Sequence, residues 1–208
     1  GDNVSSAWDS YLATTSSDWS ASSVLDTTIV AGATTARRCR PTSGRVEVCS
    51  SAYGNTGWLG VAQIWLSGGH ISQGVVKLND TYFSTSTYNT PAWRNLVTCQ
   101  EVGHTFGLAH QDENFSNPPL GSCMDYSSDP TRNQHPNAHD YEELGIIYAH
   151  VDATTTVGAM PAAMAAGNLS HPGTWGENVE STHGGRQQTY VRDFGGGHRV
   201  VTFVTWAE

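Results

Sequence analysis

The stretch Gln100-Glu101-Val102-Gly103-His104-Thr105-Phe106-Gly107-Leu108-Ala109-His110 constrains this chain more than any other. Residues four apart on a helix project from one face, so Gln100 and His104 can reach a common point, with Glu101 beside them. Gly107 allows the backbone to leave the helix sharply and to bring His110 back to that point. The helix has a clear start: Thr90 offers a capping hydroxyl, Pro91 suits the first helical position, and Trp93, Leu96, Val97, Val102 and Phe106 supply apolar faces. A divalent metal needs such a set of converging neutral donors, and a carboxylate next to it can poise a water molecule.

Met124 follows fourteen residues after His110, within Ser122-Cys123-Met124-Asp125-Tyr126. With that segment, residues 100–110 form the long motif H-E-x-x-H-x-x-G-x-x-H with glutamine in the first position, and together they resemble the metzincin clan of metallopeptidases, whose methionine turn lies beneath the metal. The resemblance covers roughly residues 44–150. It implies an α/β (α+β) fold: a twisted mixed sheet over an active-site helix, the methionine turn and a helix after it. It implies a secreted zinc-dependent endopeptidase that acts on protein or peptide substrates. Zn2+ would be held by Gln100, His104 and His110, Glu101 would serve as general base and acid, and Tyr126 would donate to the oxyanion. Residues 59–66 would be an exposed edge strand along the cleft, able to grip an extended peptide through its backbone. The alternative is a catalytically inactive module of the same fold that binds extended peptides; a hydrolase acting on other substrates is a third.

Gln100 carries the choice between these readings. Its amide oxygen can replace imidazole as a neutral ligand, since oxygen and nitrogen bind zinc at similar distances of about 2.0–2.2 Å. Equally, the chain could have lost its metal and kept the fold, or be an altered form of a three-histidine parent. Keeping Glu101 and both histidines favours a working site. Asp112, Glu113, Asp125, Asp129 and Asp140 lie near it and could hold calcium, but they lack the spacing of a calcium loop, and a solvated acidic face accounts for them. His70, His135, His139, His150, His171, His183 and His198 show no ligand spacing and read as surface or capping residues.

With a net charge of −9 and a single lysine, Lys77, the chain is ill suited to nucleic acid or anionic membranes. No apolar run approaches the ~20 residues that span a bilayer. Cys39, Cys49, Cys99 and Cys123 suggest two disulfides and an extracellular setting. Of three connectivities, Cys39–Cys49 across a short turn and Cys99–Cys123 between the helix and the methionine turn are favoured; free thiols or soft metal ligands are the rivals. The start Gly1-Asp2-Asn3 reads as a mature form, and a monomer is expected.

The periodicity predicts a short helix around Trp8, Tyr11 and Leu12. It predicts strands at 26–31, 44–49, 59–66 and 73–78, and a helix over 138–149 capped by Asn137 with Asp140 three residues on. A catalytic unit would close near residue 150. From there an Ala/Thr/Gly-rich linker leads to strands at 189–194 and 198–206, a C-terminal β-hairpin appendage packed on the main domain.

Overall fold

The apolar runs on either side of Gly68-Gly69 fold back as a hairpin, β3 (Trp58–Ser67) and β4 (His70–Asn79), in antiparallel register from Gly60↔Leu78 to Ser67↔His70. The computed structural model describes residues 1–112, 114, 117–125, 127–151, 160–181 and 186–207. Among these, β3 and β4 lie near the middle of a mixed seven-stranded sheet, ordered β1-β2-β4-β3-β7-β6-β5. β2 (Val46–Ser51) runs parallel to β4, and β1 (Asp2–Asn3) runs parallel to β2. β5 (Glu177–Ser181), β6 (Gln187–Asp193) and β7 (His198–Trp206) form an antiparallel meander that joins the sheet along β3.

Helices cover both faces of the sheet, four of them on one and the last on the other. α1 is Asp9–Trp19 and α2 is the short turn Asp80–Phe83. α3 (Pro91–Thr105) opens as its sequence predicts, with the Thr90 hydroxyl accepting from the Trp93 N–H at 3.3 Å. α4 (Ala138–Ile147) begins with a reciprocal capping box between Asn137 and Asp140, and α5 is Ala162–Ala166. Trp8, Leu12, Trp19, Leu59, Ala62, Ile64, Leu96, Val102 and Leu144 form the main core between helices and sheet. A second core lies on the opposite face, where Met164, Leu169 and Trp175 pack on Trp58, Val61, Trp65 and Val75 from the central strands and on Val200 and Val204 from β7. Because both its faces are covered, β3 is apolar on both sides, as a central strand must be.

This arrangement corrects three expectations. Residues 59–66 are not an exposed edge: β7 pairs with β3 from Trp58↔Trp206 to Ser67↔His198, which takes up the backbone groups that a peptide would have used. The C-terminal segment is more than a hairpin, because β5 adds a third strand that its polar sequence, ENVES, had hidden. The strand expected at 26–31 is absent as well; only an isolated bridge joins Asp2 and Ala31, and Ile29 and Val30 are exposed. β-Branched residues favour a strand only where a neighbour offers an edge to pair with.

Disulfides Cys39–Cys49 and Cys99–Cys123 both form. Among the described residues no helix is long and apolar enough to cross a membrane.

The methionine turn packs directly under α3. Met124 is fully buried, and a Cβ on Gly103 would lie 2.6 Å from its sulfur and 2.6 Å from the Trp19 ring. Overpacking of this kind costs about 1–3 kcal/mol. Gly103→Ala is therefore expected to lower the thermal midpoint by roughly 2–10 °C in calorimetry, and an unchanged midpoint would show that the contact is slack.

Candidate metal centre

The last two turns of α3 lie wholly inside the protein: every residue from Leu96 to Thr105 is buried. Gly107 takes φ +94°, a left-handed conformation that ends the helix, and His110 returns beside His104 as the spacing implies. The two Nε2 atoms are 3.0 Å apart, with the rings nearly perpendicular at 89°. His104 Nδ1 is 2.8 Å from the Leu108 carbonyl oxygen. A carbonyl only accepts, so Nδ1 carries the hydrogen and Nε2 presents its lone pair toward His110. On its other side the His104 ring stacks on Phe203 of β7, with centroids 4.3 Å apart and planes 2° from parallel.

Burial keeps both imidazoles neutral. It holds the His104 pKa down to about 4, against partial opposition from the Leu108 carbonyl and the charge of Glu180. His110, half-buried by area, is held well below the usual histidine range, first by its low-dielectric surroundings and then by the unfavourable proximity of His104, since both rings cannot be protonated together.

Glu101 is fully buried on α3, and neither carboxylate oxygen has a hydrogen bond of good geometry. Burial pushes its pKa up to about 8; the nearby Thr205 hydroxyl and Ala62 N–H only partly oppose the shift. Room for this side chain comes from Gly60, where β3 bulges: a Cβ there would lie 2.5 Å from Glu101 Oε1. An orphaned, buried carboxyl is costly, and this one stands on the same helix as His104.

Gln100 faces another way. Its Nε2 donates to the Cys123 carbonyl at 2.9 Å, and its Oε1 accepts from Gln187 Nε2 and from Thr205 Oγ1, both at 3.0 Å. Both acceptor directions of the amide oxygen are thus taken. His104 and His110 fit a divalent ion, although zinc bonds of ~2.0–2.1 Å at tetrahedral angles call for about 3.3 Å between nitrogens, so the pair would open slightly. Gln100 in this arrangement does not fit as the third ligand: it fastens α3 to the methionine turn and to the C-terminal strands. Among the described residues no three His, Cys, Asp or Glu side chains group around a point that would suit a metal. Tyr126 and Glu113 lie outside the described residues.

The remaining carboxylates have structural partners. Asp140 accepts from the Ser122 hydroxyl and the Asn137 N–H, and Asp125 accepts from the Leu120 N–H and from Asn133. Both are buried, so a solvated acidic face does not describe them. Gln187, Phe203 and Thr205 escaped sequence reasoning because nothing local marks them; they reach the centre only through the pairing of β7 with β3.

Two measurements probe this geometry. Gln100→Ala removes the amide that donates to the buried Cys123 carbonyl, and leaving such a group unsatisfied costs about 1–3 kcal/mol; denaturant unfolding should show a loss of at least that size. Glu101 has a raised folded pKa, so the native state holds its proton longer than the unfolded chain does. Stability conferred at low pH is lost as pH climbs from the ordinary carboxylate value of 4.5 through about 8. In metal-free protein, Glu101→Gln should raise the thermal midpoint at about pH 8–9 and change it little at about pH 4–5; a pH-independent effect would contradict the buried carboxyl.

No match to this chain was found among known protein families, curated proteins or solved structures.

Proposed function

We propose that this chain is a secreted, zinc-dependent endopeptidase of metzincin type, with His104 and His110 as metal ligands and Glu101 as general base and acid. The observation that carries the reading is the meeting of two imidazoles whose Nε2 atoms face each other at 3.0 Å, with a buried carboxyl on the helix that carries His104. When bound, zinc lowers the pKa of a coordinated water toward ~7 and polarises a carbonyl. The chain supplies the rest. The Leu108 carbonyl holds the His104 tautomer, Phe203 fixes the plane of its ring, and Glu101 takes a proton at its carboxylate and passes it to the leaving nitrogen. A carboxyl poised near neutral pH suits both directions of that transfer.

Substrate does not approach by adding a strand to β3, since β7 occupies that edge. The accessible side is that of His110, which is half-buried where His104 is 1 % exposed. Two disulfides support an extracellular setting.

The saturated amide of Gln100 favours a second reading, in which the metal has been lost and the buried motif serves the fold alone. Elemental analysis and casein cleavage by untagged protein separate the two. The first reading expects bound zinc, cleavage that stops with a chelator, and a drop of roughly 10²–10⁴-fold in Glu101→Ala. Metal-free protein without cleavage supports the second. Gln100→His refines the result: a gain in activity marks a lost ligand, whereas a loss marks a site built around the amide.

A further inference from the structure

A second pair of histidines meets far from α3 in sequence. His70 opens β4 at the tip of the central hairpin, and His150 lies just beyond α4. Their Nε2 atoms are 3.4 Å apart, with ring centroids at 5.4 Å and planes inclined by 59°. We propose that His70 and His150 form a two-histidine site for a borderline divalent ion (zinc, nickel or copper), separate from the His104–His110 centre.

Three observations carry the inference. The spacing is the first. Two imidazole nitrogens bound to one tetrahedral zinc at ~2.0–2.1 Å stand about 3.3–3.4 Å apart, and 3.4 Å is what this pair shows.

The second is anchoring. Ile71, next to His70, packs against the main core, as does Ile147. The Tyr148 hydroxyl donates to the Phe106 carbonyl at 3.0 Å, two residues before His150. The methyl groups of Ile71 and Ile147 flank the Gly107 turn, within 3.6 and 4.0 Å of where a Cβ on that glycine would lie. Two separate elements are therefore each held to the core close to the histidine they present, so their convergence is built from both sides and does not depend on a loose loop.

The third is access. His70 is half-buried and His150 exposed, which lets water complete the coordination shell, and neutral imidazole suits zinc, nickel and copper. An ion there would tie the tip of the β3–β4 hairpin to the end of α4, across the turn by which α3 delivers His110.

The test uses the untagged full-length chain, stripped with a chelator and then dialysed to equilibrium against Zn2+ at neutral pH. Wild-type protein is expected to take up one ion more than His70→Ala/His150→Ala. Both chains keep His104 and His110, so the difference stands whether or not that centre binds metal. Equal uptake overturns the proposal. Nitrogen NMR of the imidazoles gives a second readout that does not depend on a variant's folding: Zn2+ should shift Nε2 of His70 and His150 together, and a titration that leaves either unmoved overturns it as well.

Discussion

One turn of helix, Cys99 to His104, is held from every side, and the rest of the molecule is arranged around it. The disulfide to Cys123 and the bond from Gln100 to the Cys123 carbonyl fasten it to the methionine turn. The Trp19 indole N–H caps the Cys99 carbonyl at 3.1 Å, and Met124 lies against Gly103. β3 presses from above, with Gly60 making space for Glu101. Burial so complete holds the His104 pKa down and pushes the Glu101 pKa up, because a low-dielectric interior disfavours every charged form. Chemical poise and structural confinement here have a single cause.

What could be read in advance follows from the range of the interactions. α3 was legible because its signals are local: a capping threonine, a proline and a periodic apolar face. The capping box of Asn137 and Asp140 was legible for the same reason, and so was the return of His110 after Gly107. The disulfide pairs followed from sequence proximity and the expected adjacency of helix and turn. The partners of Gln100 were not legible, since Gln187 and Thr205 lie 87 and 105 residues away and neither stands in a motif. Pattern alone also failed at residues 26–31, where pairing stops at a single bridge to Asp2, and at β5, which pairs despite a polar, exposed sequence.

The C-terminal strands alter how the centre is understood. A resemblance carried by residues 44–150 places an open edge at β3, yet β7 fills that edge along its length, sets Phe203 on His104 and turns Thr205 toward Gln100. Val200, Val204 and Trp175 also cover a face of the sheet that would otherwise expose Trp58, Trp65 and Val61. The segment is thus part of the core and part of the site at once.

The pairing of β3 with β7 bears on how the molecule assembles. The strand that completes the middle of the sheet emerges from the ribosome long after the one it must join, with the helical layer and a second hairpin made in between. Until it arrives, a tryptophan-rich surface and an unsatisfied row of backbone amides stand open, the condition under which nascent chains stick to one another. Biogenesis of this protein should accordingly be slow to close and sensitive to crowding by its own copies.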